Sequence, residues 1–274
     1  MPTRLRPPAM PPTGPGPPCG RGRPGSLADP LLARSRPGDD NGGVTTTTRQ
    51  DHASDGRSPW TAPSARTSVG ILGAGELGMA LASRLLGTEY DVRLATRRPA
   101  AATAELIAPF LPGVTAVGRA EAYACDIVIA AIPLRRYRSL PAEALRGRIV
   151  VDVMNHRPLV DGPRPEFDED PRATSEIVQE HLPGAYVVRT LNHIGAREIS
   201  NDSRPTGEEG RRALAVASDH PAATATVSVL VDALGFDPVD AGPLAHARAF
   251  EPGTPIFHGR WTAEGLRSAL AEAL

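Results

Sequence analysis

From Thr67 onward, short apolar runs alternate with longer segments whose apolar residues recur at helical spacing. Ser68-Val69-Gly70-Ile71-Leu72 predicts a buried strand. Residues 76–86 predict a helix, with Leu77, Ala80, Leu81 and Leu85 at helical spacing and Gly87 as its stop. Asp91-Val92-Arg93-Leu94-Ala95 predicts a second strand, and 101–110 a second helix ended by Pro112. A weaker strand is expected at 114–117. The runs at 126–132 and 148–153 are the most continuously apolar and β-branched, as parallel strands covered on both faces are. A helix at 173–182 and strands at 186–189 and 214–217 follow. The next helix opens near Asp219, carries Ala223, Val227, Leu230, Val231 and Leu234 on its apolar face, and closes at Gly235. A terminal helix is expected at 262–274. Residues 163–170 read as a polar loop and Asp240-Ala241-Gly242-Pro243 as a turn. This order predicts an α/β fold: a Rossmann-type doubly wound parallel sheet over 67–200, with a small C-terminal α/β extension over 201–274.

Residues 1–66 have a different texture. They are rich in Pro, Gly, Arg and Thr and poor in large apolar groups, so burial cannot offset ordering entropy and a disordered tail is expected. The net charge of −1 gives no reason to expect nucleic acid or an acidic membrane as partner. No apolar stretch approaches the ~20 residues of a membrane span, and the N-terminus lacks a signal-like apolar region. A cytoplasmic location is the expectation.

All 30 basic residues are arginine. Short-chain dehydrogenases and β-hydroxyacid dehydrogenases both use a lysine, so their usual chemistry is excluded. Cys19 and Cys125 are too far apart in the chain to suggest a disulfide framework or a zinc site, and Cys125 in its apolar run reads as a buried, inert thiol. The seven histidines show no metal-ligand spacing, and Asp168-Glu169-Asp170 reads as a solvated run; no metal site is expected.

The strongest motif is Gly73-Ala74-Gly75-Glu76-Leu77-Gly78, directly after the first strand and opening the first helix. In that context Gly73 allows a tight turn, Gly75 lets a pyrophosphate approach the backbone, and Gly78 lets helix and strand pack closely. The helix N-terminus then offers free N–H groups and its positive dipole end to the phosphates. An NAD site would carry a carboxylate at the end of the second strand. This chain reads Thr96-Arg97-Arg98-Pro99, a hydroxyl and guanidinium groups suited to the 2′-phosphate of NADP. No proton-transfer constellation stands out, so no side chain is assigned as catalytic. Hydride transfer, in which cofactors do most of the chemistry and the protein positions them, is the expectation.

From Thr67 to about Arg260 the chain resembles the NADPH-dependent reductases of the deazaflavin coenzyme F420, and the related NADP-binding domain of metalloreductases. The resemblance is carried by the glycine motif with Thr96-Arg97, by Val151-Asp152-Val153-Met154-Asn155, and by Ser175-Glu176-Ile177-Val178-Gln179-Glu180. Val187-Val188-Arg189-Thr190-Leu191-Asn192-His193-Ile194 and Asp240-Ala241-Gly242-Pro243-Leu244 complete it. It implies that Ala74, Gly75, Glu76 and Leu77 line the pyrophosphate. Thr96 and Arg97 would hold the 2′-phosphate, with Arg98 standing in for a further basic residue that family members often have. Ile132, Asn155 and Ala196 would lie along NADP, and Asn192, His193 and Ile194 would face the second ring system. His193 could bond an acceptor or be satisfied by backbone. The implied function is hydride exchange between NADP(H) and coenzyme F420 or a flavin-like acceptor, in a homodimer. Two alternatives stay open: an NADPH-dependent reductase of a small carbonyl or imine, and a non-catalytic NADP sensor.

Overall fold

The computed structural model describes residues 66–274. Expectations for Cys19 and for the tail up to residue 65 therefore lie outside the described residues. The strands are β1 (Ser68–Leu72), β2 (Asp91–Ala95), β3 (Thr115–Ala116), β4 (Ile127–Ala130), β5 (Ile149–Asp152), β6 (Tyr186–Arg189), β7 (Ala213–Ala217) and β8 (Asp237–Gly242). The helices are α1 (Glu76–Leu85), α2 (Ala100–Ile107), α3 (Arg119–Tyr123), α4 (Ala142–Leu145), α5 (Pro158–Asp161), α6 (Pro165–Asp168), α7 (Thr174–His181), α8 (Ala196–Asn201), α9 (Pro221–Ala233), α10 (Pro255–His258) and α11 (Ala263–Ala273). Tighter 3₁₀ turns run over Leu134–Ser139 and Leu244–Phe250.

One sheet runs β3-β2-β1-β4-β5-β6-β7-β8. It is parallel from β3 to β6, and the chain order reverses between β1 and β4, the doubly wound arrangement expected from the sequence. β4 and β5 are buried at every residue, which explains why their sequences are apolar throughout rather than alternating. Alternate residues feed opposite layers. Val69, Ile71, Ile127, Ile129, Ile149 and Val151 pack with α1, α8 and α9. Leu72, Val128, Ala130, Val150 and Val187 pack with α3, α4 and α7 on the other side.

β7 joins β6 antiparallel through a single paired position, Arg189 with Ala217, and β8 then runs parallel to β7. The boundary expected at residue 200 falls between β6 and β7, and both parts share the one sheet. A smaller core of Ala215, Val239, Phe250, Ile256, Leu266 and Leu270 lies under α11.

The region read as a turn around Asp240 is the end of strand β8. The turn chemistry is nonetheless present: the Asp240 carboxylate accepts from the Gly242 N–H (2.8 Å), and Gly242 has φ +86°. β8 is the edge of the sheet, the place where a strand tolerates Pro238. The polar stretch at 163–170 contains the one-turn helix α6. Cys125 is buried, as expected, and burial pushes its thiol pKa up. Among the described residues, no helix is long and apolar enough to cross a membrane, and no group of three or more His, Cys, Asp or Glu could hold a metal ion.

Candidate functional site

A cavity of about 720 Å³ opens where β1, β2 and β4 end. Ligands of open α/β sheets bind beyond the carboxyl ends of the strands, at the point where strand order reverses. β1 and β4, on either side of that point, both end in this cavity. Of the residues singled out from sequence, Gly73, Ala74, Gly75, Thr96, Arg97 and Ile132 line it. Arg119, Arg135, Arg136 and Arg138 line it as well, and sequence reasoning missed them. No Asp or Glu contributes to the lining.

The glycine turn is shaped as its motif requires. Gly73 has φ +114°, a conformation other residues rarely adopt. A Cβ at Gly78 would lie 2.1 Å from the Gly73 carbonyl oxygen, so the third glycine is needed for packing alone. A Cβ at Gly75 would meet nothing within 4 Å. That open side, with Gly75 capping α1 and no side chain bonded to the helix's first turn, is a fitting cradle for a pyrophosphate. Leu77 packs on the core, and Glu76 faces a separate hollow between α1 and α8 that it shares with Ala80, Ala196 and Arg197.

At the end of β2, the Thr96 hydroxyl accepts from the Arg98 N–H (3.0 Å) and lies 2.8 Å from the Thr103 hydroxyl. Either hydroxyl of that pair can be the donor. Arg98 contributes through its backbone; its side chain is not part of the cavity lining. Of the cavity arginines, Arg135 lies 3.6 Å from Asp161 and Arg138 covers the Tyr137 ring. Arg97, Arg119 and Arg136 have no carboxylate partner among the described residues.

Where β5 and β6 end, the structure builds a buried polar network. Arg189 is fully buried and pairs with Asp152, itself fully buried, at 3.0 Å. It also donates to the Met154 carbonyl and to Asn155 Oδ1 (3.1 Å). Asp152 accepts further from the Met154 N–H (3.0 Å) and the Ser175 hydroxyl (2.9 Å). Asn155 Nδ2 donates to the Asn192 carbonyl (2.7 Å), and Asn192 Nδ2 to the Phe250 carbonyl (2.8 Å). The Ala215 N–H donates to His193 Nε2 (3.0 Å). Nδ1 therefore carries the ring proton and donates it to Asn192 Oδ1 (3.0 Å). Burial, then the positive charges of Arg212 and Arg189, push the His193 pKa down to about 3. Leu191, at φ +59°, is the one non-glycine with positive φ among the described residues, held there inside this network.

Asn192, His193 and Ile194 thus point their side chains into the core, at 2%, 2% and 6% exposure. Their polar side-chain atoms are engaged within the protein rather than exposed at its surface. What the loop offers outward is Gly195, which is exposed, and Ala196, which is half-buried.

This crevice and its lining define the class of the molecule: a doubly wound, Rossmann-type α/β protein with a cation-rich site at its topological switch. Residues 68–156 match the family described as "NADP oxidoreductase coenzyme F420-dependent". The chain belongs to that family, and the resemblance read from its sequence is borne out. It is 32% identical to a hypothetical protein, SMa0349, from Sinorhizobium meliloti, covering 72% of this chain and 96% of that one, with a TM-score of 0.63. A protein from Arthrobacter sp. FB24, proposed to be an F420-dependent NADP reductase, is 28% identical over 68% of this chain and 88% of its own, with a TM-score of 0.57. Metalloreductase STEAP3 of Rattus norvegicus is 33% identical over 191 residues, 69% of this chain. The chain spans 36% of that relative's length, and between about a third and a half of the curated relatives it matches.

Proposed function

We propose that this protein is an NADP-dependent oxidoreductase that exchanges a hydride between NADP(H) and coenzyme F420 or a flavin-like acceptor. The observation that carries the reading is the cavity joining the glycine turn to five arginines without a carboxylate. A 2′-phosphate is attracted there, and nothing in the lining suits the carboxylate–ribose contact of an NAD site. The open face of Gly75 and the first turn of α1 would cradle the pyrophosphate, and Arg97 with the Thr96 hydroxyl would hold the 2′-phosphate. Bound NADPH would supply the hydride. The chain's own residues bind, orient and keep the strand ends rigid.

Support for a ring-system acceptor comes from the family's description and from His193. That histidine is neutral with both nitrogens committed, so it offers no proton to a substrate. Hydride transfer to a deazaflavin or flavin leaves charge delocalised over the ring, where solvent can supply the balancing proton, whereas reduction of a small carbonyl concentrates charge on one atom and calls for a positioned donor. Gly195 is exposed and Ala196 half-buried at the start of α8, and these are the residues the loop would offer to the acceptor.

The test is a spectral assay of the purified protein with NADPH against coenzyme F420, FMN and FAD. Coupled loss of NADPH and F420 absorbance is the expected result. Tight NADPH binding without turnover of any acceptor would point to a sensor instead, and failure to bind NADPH would overturn the reading. The homodimer that accompanies this reading is checked by light scattering.

A further inference from the structure

Arg119 stands 22 residues beyond Arg97 in sequence, and the pairing of β2 with β3 brings the two to one cavity. β2 and β3 pair in parallel with Arg93 opposite Thr115 and Leu94 opposite Ala116. The ladder continues with the Val117 N–H donating to the Leu94 carbonyl (3.0 Å). Both strands end just beyond these pairs, so the loop carrying Thr96 and Arg97 and the start of α3 carrying Arg119 leave the same side of the sheet, and all three residues line the one cavity. Beyond Val117 the chain is turned into α3 by the Glu121 carboxylate, which accepts from the Gly118 N–H (3.2 Å). Both arginine side chains line the cavity, both residues are exposed, and neither has a carboxylate partner among the described residues. Two unpaired guanidinium groups at adjacent strand ends repel each other until an anion sits between them. With the Thr96 hydroxyl beside them, they suit a phosphate monoester, whose dianion accepts from several charged donors at once.

We infer that Arg119 is a second specificity-determining residue for the 2′-phosphate of NADP, acting from the start of α3 across the cavity from Arg97 in the loop after β2. It supplies the positive charge that the side chain of Arg98, outside the cavity, does not. The inference rests on the reading above that this cavity takes NADP.

The probes are adenosine 2′,5′-bisphosphate and 5′-AMP, which differ only by the 2′-phosphate, titrated calorimetrically into the full chain and its Arg119→Ala and Arg119→Lys variants. The wild type should prefer the bisphosphate. Arg119→Ala should weaken bisphosphate binding about tenfold or more while changing 5′-AMP binding less than about twofold, and Arg119→Lys should recover part of the loss. Equal losses for both probes would mean that Arg119 stacks on the adenine or supports the fold, and no loss would mean that it does not touch the ligand; either overturns the assignment. A wild type that does not distinguish the probes would instead overturn the NADP reading itself. Because Arg119 is exposed, its variants should melt with the wild type, and a matched melting temperature is the control.

Discussion

Acidification should destabilise this protein through one histidine well before its carboxylates titrate. In the folded state His193 is fully enclosed, with its ring 5.1 Å from that of Phe250, and its pKa falls to about 3; in the unfolded chain it returns to about 6.5. The folded pKa lies below the unfolded one, so the stability tied to the neutral ring is fully present above about pH 6.5. It is lost progressively as pH falls toward 3, because the unfolded chain takes up the proton first. Between pH 7.5 and 5.0 the unfolded state gains most of one proton and the native state almost none. At about 1.4 kcal/mol per pH unit, the loss integrates to about 2 kcal/mol. For a domain of this size that is a drop of roughly 4–8 °C in melting temperature. The assay is thermal or urea unfolding at both pH values, for the wild type and for His193→Gln. Glutamine lowers stability at every pH but cannot titrate, so its pH dependence should be shallower by about 2 kcal/mol over the same interval. Parallel pH dependences for the two proteins would refute the reasoning, because the proton would then be taken up elsewhere.

Arg97→Ala should cost about 1.5–3 kcal/mol of NADPH affinity, or one to two orders of magnitude in Kd, and leave NADH affinity nearly unchanged in parallel fluorescence titrations. Equal losses for both nucleotides would remove the 2′-phosphate assignment. Asp152→Ala strands the fully buried Arg189 guanidinium, and urea unfolding should register a loss of about 3–5 kcal/mol; a loss below about 1 kcal/mol would mean that water replaces the carboxylate and that the pair does not anchor the strand ends.

The central strands were legible because burial on both faces demands what β4 and β5 display, apolar residues without alternation. β8 was not legible: Asp237, Pro238 and Gly242 are turn formers in sequence, and only the sheet edge makes them acceptable in a strand. The glycine turn and Thr96-Arg97 could be placed at the cavity because each is a local feature at a strand end. The other arginines are assembled by topology, from the start of α3 and from the turn after β4, and no spacing along the chain announces it. A register for β2 and β3 would have found Arg119. The orientation of His193 was beyond reach for a similar reason. Its partners include Ala215 and Phe250, 22 and 57 residues further on, and a side chain's direction is set by what packs around it.

The network beneath the strand ends also bears on how this protein can be re-engineered. Asp152, Asn155, Arg189, Asn192 and His193 come from the ends of β5 and β6 and the loops that follow them, and each is hydrogen-bonded or ion-paired to another member of the set. A mutational library aimed at the family stretches 151–155 and 187–194 would fall on those positions and should cost stability in most of its members, whatever ligand it was meant to select. The adaptable surface lies one step outward, at Ala196 and on the one-turn helix α5, where Leu159 and Val160 are fully or largely exposed. Diversity placed there changes the surface while the network beneath the strand ends stays fixed.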